Sequence, residues 1–311
     1  MLRIATRRSA LARAQALHVG RLLSQRTGEP FALRPMATTG DQFPERAVSA
    51  FDAKGLFVDT TRQAVLAGDC DLVVHSFKDL PSDPVAGLAL GAVPDRADPR
   101  DALVTRDGRP LSALDHTWVV GTSSERRRLM LLDAKPGLQV IGLRGNLDTR
   151  LRKVADGRLD AAVIALAGLA RLVAPRERGG RGPLGVPVQL QALEPGECLP
   201  APAQGALAVE HRADDDRVAA AVRAIDDAVL HRRVRAERAL LAHLDAGCLS
   251  AVGALCRPGT DGTLELLGAL GDPGRRRLVR RSLTGHADRP EDLGRELADD
   301  LTAALDRERT A

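Results

Sequence analysis

Trp118-Val119-Val120-Gly121-Thr122-Ser123-Ser124-Glu125-Arg126-Arg127-Arg128 is an apolar run, a hydroxyl-rich turn and the start of a helical pattern. The same plan returns over Leu138 to Ile141 and then Leu143-Arg144-Gly145-Asn146-Leu147-Asp148-Thr149-Arg150. Each short apolar run reads as a buried strand, and each turn feeds a helix. Glycine, hydroxyls and free backbone N–H groups therefore meet arginines at two strand-to-helix turns. Helix N-terminal donors beside guanidinium forks make an anion site. Two such turns in one domain point to a ligand with several carboxylates or phosphates. Either string alone reads equally well as solvated helix surface.

Working outward, strand and helix alternate on both sides. Leu2–Thr6, Phe31–Met36 and Leu72–Ser76 read as strands, and Ser9–Thr27 and Leu56–Ala67 as helices. After Pro99-Arg100-Asp101 the pattern restarts: strand 118–121, helix 124–132, strand 138–142, helix 146–155, strand 160–165, helix 166–172. Repeated β-α-β units argue for parallel sheets with helices on their faces, and ligands of such sheets sit at the carboxyl ends of strands. Thr38–Lys54 has Gly40, Pro44 and no apolar period, so it reads as a mobile loop, and Arg176–Pro187 as a second loop. Ala206–Glu210 is another short strand. From Asp215 two Arg-rich helical stretches are followed by strands at 251–256, 264–270 and 277–283 and a last helix near 290–307, a separate small α+β domain.

The 311 residues, 44% of them hydrophobic, are enough for two or three domains with proper cores. No apolar run is long enough to span a bilayer, and Met1-Leu2-Arg3-Ile4-Ala5 enters a strand without a signal peptide's apolar core. Cys70, Cys198, Cys248 and Cys256 are scattered without a C-x-x-C pair, which fits a reduced, cytoplasmic protein without a zinc site. The charge is +4, from 45 basic and 41 acidic residues, and only Lys54, Lys78, Lys135 and Lys153 among the bases are lysine. With aromatics at 2% and no Tyr, base-stacking platforms are scarce, which argues against nucleic acid.

Two further strings offer chemistry. Leu72-Val73-Val74-His75-Ser76-Phe77-Lys78-Asp79-Leu80-Pro81 ends a buried strand in polar residues, placing Asp79 at its carboxyl end beside Lys78. An ordinary turn aspartate reads the same way, and His75 reads as the holder of a local hydrogen bond. Cys248 follows Gly247 in a loop just past a helix, where a thiol can be exposed enough to react. Cys256 ends the apolar run Ala251–Leu255 and reads as packed.

In order along the chain, Ala5-Thr6-Arg7-Arg8-Ser9-Ala10-Leu11-Ala12, Thr38-Thr39-Gly40-Asp41, Lys54-Gly55-Leu56-Phe57, the His75–Pro81 string, Asp98-Pro99-Arg100-Asp101, both arginine turns, Ala165–Leu172, Gln204-Gly205-Ala206 and Gly247-Cys248 closely resemble the hydroxymethylbilane synthases, also called porphobilinogen deaminases. The resemblance runs from residue 3 to about 253. It implies an α/β fold of two periplasmic-binding-protein-like lobes with mixed sheets plus a C-terminal α+β domain. Residues 1–98 with 201–221 would form the first lobe, 102–196 the second, and 222–311 the domain carrying the cofactor cysteine. It implies a cytoplasmic, monomeric transferase that condenses four porphobilinogen molecules head to tail and releases ammonia. The partner is that small molecule alone, with no nucleic acid, membrane or metal. The cofactor is a dipyrromethane in thioether linkage to Cys248.

The same resemblance assigns Asp79 the catalytic role, and Lys78, Ser9, Ser123, Arg126, Arg127, Arg144 and Arg150 contacts with the cofactor. Arg7, Gln15 and Arg171 fall to the substrate. A chain of up to six pyrrole rings concentrates about a dozen carboxylates, whose repulsion in low dielectric arginine forks would relieve. Crossings near Pro99-Arg100 and residue 200 are implied hinges, and loop 42–54 an implied lid. The chain departs from the family pattern at Thr39, Ala53, Thr60, Glu125 and Ala246. A periplasmic-type anion-binding protein and an Arg-rich nucleic-acid-binding protein are the alternatives; only the synthase would carry two linked pyrrole units covalently.

Overall fold

The computed structural model describes residues 1–37, 59–172, 183–244 and 251–310. The loop 42–54, the strings Thr38–Asp41 and Lys54–Phe57, and Ala246-Gly247-Cys248 lie outside the described residues. Two compact units are present, Met1–Arg96 with Ala206–Val234, and Ala97–Gly205 with Arg235–Ala311.

In the first unit, β1 (Leu2–Arg7), β2 (Phe31–Met36), β3 (Leu72–Ser76), β4 (Leu88–Ala92) and β10 (Leu207–Arg212) form one sheet in the order β2-β1-β3-β10-β4. Strands β1, β2 and β3 are parallel, as the β-α-β pattern predicts. Strand β10 breaks that pattern by running antiparallel to both β3 and β4. It enters from the distant 200s rather than through a local helical crossover, so nothing obliges it to be parallel. Helix α1 (Ala10–Thr27) starts where the Ser9 hydroxyl accepts the Ala12 N–H and stops at Gly28, whose φ is 74°. It buries Ala16, Val19 and Leu23 against Leu2, Ile4, Leu72 and Leu207. A Cβ on Gly20 would lie 2.4 Å from the Phe31 ring, so glycine is what lets α1 approach β2. Helix α2 (Asp59–Leu66) ends one residue before the Ala67 expected, and residues 56–58 lie outside the described residues.

In the second unit, β5 (Asp101–Thr105), β6 (Val119–Gly121), β7 (Gln139–Ile141), β8 (Ala161–Ala165) and β9 (Gln189–Ala192) form a sheet ordered β7-β6-β8-β5-β9. Strands β6, β7 and β8 are parallel, whereas β5 is antiparallel to β8 and β9. Helices α3 (Glu125–Ala134), α4 (Leu147–Ala155) and α5 (Leu166–Leu172) follow β6, β7 and β8 in turn. The C-terminal part is an antiparallel sheet of β11 (Ala251–Pro258), β12 (Thr263–Asp272) and β13 (Arg277–His286), with α8 (Pro290–Thr310). Before it come α6 (Asp216–Arg223) and α7 (Ala228–His243). Its core joins Ala236 and Leu240 of α7 to Cys256, Leu266, Leu297 and Leu301. Its other face shares a core with the preceding sheet, where Leu255 and Ala269 meet Leu103, Met130 and Leu199. The whole is α/β with two mixed sheets and a C-terminal sheet with helices. No described helix is long and apolar enough to cross a membrane.

Candidate active site

In the first unit, the carboxyl ends of β1 and β3 and the first turns of α1 enclose a cavity lined by Arg7, Ser9, Gln15, Thr61, His75 and Asp79. Arg7, Ser9, Gln15 and Asp79 are site residues that the resemblance implies and His75 lies in the same string as Asp79, and the fold brings them together for a simple reason. Parallel strands end on the same side of the sheet, and α1 begins immediately after β1. Asp79 is exposed and belongs to a short 3-10 turn, Phe77–Asp79, pinned by the Phe77 N–H donating to the Ala206 carbonyl. It forms no ion pair among the described residues. Gln15 Nε2 donates to Ser76 Oγ at 2.6 Å and ties α1 to the end of β3. Lys78 is half-buried beside Asp79.

Behind this cavity is a network that the sequence reading did not find. Arg62 donates through Nε and Nη2 to both carboxylate oxygens of Glu210, each at 2.8 Å. His75 Nε2 lies 3.1 Å from Glu210 Oε2. Burial alone would raise the Glu210 pKa, but hydrogen bonds and charge from His75 and Arg62 outweigh it and hold the value at about 2. His75 is thus satisfied by a hydrogen bond, although its partner is 135 residues away rather than local. The available signal was Glu210 itself, one carboxylate in the otherwise apolar strand start Leu207-Ala208-Val209.

In the second unit the two arginine turns are joined directly. Ser123 Oγ accepts the Leu143 N–H at 3.0 Å and donates to the Leu143 carbonyl at 2.8 Å. Ser124 caps α3 by accepting the Arg127 N–H. Glu125 leaves the turn intact and pairs with Arg128 at 3.0 Å. The departure at Thr60 is an exposed position on α2.

Arg126 and Arg127 are buried, at 3% and 7% exposure, and share one carboxylate. Arg126 Nη2 donates to Asp101 Oδ2 and Arg127 Nη2 to Asp101 Oδ1, both at 2.7 Å. Arg126 also donates to the Leu199 carbonyl and Arg127 to the Val163 carbonyl. Gln204 Nε2 reaches Asp101 Oδ1 at 2.8 Å and the Pro99 carbonyl at 2.7 Å. Burial would raise the Asp101 pKa, but the two guanidiniums drive it far below the usual carboxylate range. Asp101 opens β5, a strand not expected from the sequence, directly after the crossing near Pro99-Arg100 that the resemblance implies.

The arginine pair is therefore not bare, as the anion-site reading expects, but carries an internal counter-carboxylate. It is also not saturated: Arg127 Nε is buried with no hydrogen-bond partner. Arg144 is exposed beside Gly145, whose φ of 114° suits glycine. Arg150 Nε donates to the Gly145 carbonyl at 2.8 Å. Burial first, and the nearby Arg127 charge second, push the Arg150 pKa down. Arg171 Nη2 donates to the Gly205 carbonyl at 2.6 Å. Guanidinium thus exceeds carboxylate here, a donor set that fits a ligand bearing several carboxylates.

Cys248 lies outside the described residues. Cys70, Cys198 and Cys256 are buried and form no disulfide among the described residues. Desolvation pushes the Cys198 thiol up to about 12, against a nucleophilic role. Among the described residues no group of three or more His, Cys, Asp or Glu could hold a metal ion.

The family model "Porphobilinogen deaminase, dipyromethane cofactor binding domain" matches residues 2–220, and that of the C-terminal domain matches 231–303. A porphobilinogen deaminase of Acidothermus cellulolyticus is 44% identical over 308 residues, covering 98% of this chain and 89% of the relative. One from Thermus thermophilus is 41% identical, covering 98% and 96%. Among solved structures, a periplasmic substrate-binding protein of an ABC transporter from Coxiella burnetii is similar at a TM-score of 0.42 and 14% identity, covering 72% of this chain and 91% of that one.

Proposed function

The chain belongs to the porphobilinogen deaminase family, and from that premise we propose how its own residues carry the reaction. That reaction condenses porphobilinogen into hydroxymethylbilane, in tetrapyrrole synthesis, on a dipyrromethane cofactor. When bound, the cofactor supplies the pyrrole carbon from which the chain is extended.

Asp79 is the catalytic carboxylate. Loss of ammonia from the aminomethyl group of porphobilinogen, pushed by its pyrrole nitrogen, would leave a cationic azafulvene on the substrate, and Asp79 is the group that would face that charge. A fixed carboxylate can accept the pyrrole N–H, balance the cation, and take and return a proton. The observation that carries this is the exposed Asp79 at one cavity with Arg7, Ser9 and Gln15. Arg7 meets a substrate carboxylate there, while Gln15, fixed through Ser76, offers its amide. Lys78 holds a cofactor carboxylate, with Ser9 as a hydrogen-bonding partner.

Arg144 and Arg150 bind further carboxylates directly, and Arg127 does so through the Nε left without a partner. Arg126 supports Arg127 through Asp101, and Ser123 fixes both turns. Arg171 binds substrate from α5. Cys248 carries the cofactor as a thioether. Cys256, 0% exposed, is excluded from that role by burial. The enzyme is a cytoplasmic monomer that binds no nucleic acid, and the segments 1–98 with 201–221, 102–196 and 222–311 are its functional domains. The test is turnover by Asp79→Asn in protein that keeps its fold and its ability to bind porphobilinogen.

A further inference from the structure

Asp101 has no solvent exposure, yet accepts hydrogen bonds from Arg126, Arg127 and Gln204, with Cys198 Sγ at 3.5 Å. Two guanidiniums against one carboxylate leave a net positive charge, and Arg150 adds to it nearby. A buried cation without full compensation is costly, and an incoming anion relieves that cost. Asp101 is therefore in direct competition with any ligand carboxylate for the same two arginines. Its backbone is fixed at the head of β5, and its oxygens are divided between the two guanidiniums, so it cannot withdraw when a ligand arrives.

We propose that Asp101 is a positioning residue that acts through Arg126 and Arg127, aiming both guanidiniums and keeping part of their charge occupied so that a pyrrole carboxylate is held and then passed on. The inference rests on the reading that this cluster binds pyrrole carboxylates. A chain extended several times over one catalytic carboxylate must shift after each addition. Uncompensated arginines would grip each carboxylate too strongly for that shift. Gln204 adds a second restraint by binding Asp101 Oδ1 and the Pro99 carbonyl together, which fixes the carboxylate's orientation.

The sign of the effect separates this role from a purely structural one. Removing a buried structural carboxylate should loosen the site and weaken binding. Removing a competing carboxylate should tighten ligand binding while slowing transfer. The experiment compares full-length, cofactor-loaded wild type, Asp101→Asn and Arg127→Leu by kcat, by KM for porphobilinogen and by intact mass at limiting porphobilinogen. Asp101→Asn should lower KM, lower kcat by about tenfold (one charge-assisted hydrogen bond's worth) and accumulate heavier, ring-extended species. A raised KM with lighter species, or unchanged kinetics, would overturn the proposal. Arg127→Leu should raise KM. If Arg127→Leu changes nothing, the carboxylate-binding reading of the cluster falls as well; if it raises KM while Asp101→Asn has no effect, only the role of Asp101 falls. Should Asp101→Asn not fold, Asp101→Asn/Arg126→Gln removes one charge of each sign and keeps the net charge. That protein should still show the lowered KM, and a raised or unchanged KM would overturn the proposal.

Discussion

His75 and Glu210 meet across the antiparallel pair β3 and β10, imidazole Nε2 to carboxylate Oε2 at 3.1 Å, with Arg62 donating to both oxygens of the same carboxylate. A residue of the cavity wall is thereby anchored to a buried ion pair that joins α2 to the sheet. Glu210→Gln leaves the Arg62 charge buried against a neutral amide, a change that typically costs about 3–5 kcal/mol. Chemical denaturation should show that loss at neutral pH.

The same carboxylate sets an acid limit. Its folded pKa, about 2, lies below its ordinary 4.5, so the stabilisation is fully present above the ordinary value and is lost as pH falls from there through about 2. The stability gap between wild type and Glu210→Gln should therefore narrow progressively below pH of about 4.5. A gap that stayed constant across that range would contradict the ion-pair account.

Asp79→Asn should retain the wild-type unfolding midpoint, since Asp79 is exposed and supports no ion pair among the described residues. Turnover should fall by about two to three decades, the loss typical when one preorganised charge-stabilising group is removed. Near-normal turnover would remove Asp79 from the mechanism.

The two arginine turns should respond differently. Arg144 is exposed, so Arg144→Leu should keep the fold and weaken retention of pyrrole chains, stalling the enzyme with short adducts. Arg127 is half of a buried pair on Asp101, so Arg127→Leu should weaken binding and also lower stability by about 3–5 kcal/mol. Ser124→Ala should cost about 1 kcal/mol through the lost helix cap. Intact mass and denaturant midpoints measured on the same preparations separate these effects.

Periodicity and turn chemistry made the parallel halves of both sheets legible. The helices expected at Ser9–Thr27 and 124–132 are observed at Ala10–Thr27 and Glu125–Ala134, each capped by the serine before it. Strands β4, β5 and β9 were not legible, since a run of three apolar residues such as Ala102–Val104 carries no period and its partners come from remote segments. Arg7, Ser9, His75 and Asp79 were individually visible because each lies in a string with a turn or cap, whereas Gln15 came only from the resemblance and Thr61 from the structure. Their buried counter-charges were not. Asp101 reads as part of a crossing, and Glu210 as the tail of a strand, until their arginine partners are known. A charge inside an apolar segment was the readable trace of Glu210.

In the proposed enzyme the cofactor is held covalently, as two linked pyrrole units on Cys248. Cys256 is the natural control, a thiol with no exposure in β11 whose backbone N–H donates to Glu237 Oε1 at 2.8 Å. The measurement is the intact mass of purified wild type, Cys248→Ser and Cys256→Ser, read with the Ehrlich colour reaction for bound pyrrole. The predicted result is a dipyrromethane adduct on wild type and Cys256→Ser, with none on Cys248→Ser and little activity there. An adduct that persists in Cys248→Ser and disappears in Cys256→Ser would contradict it.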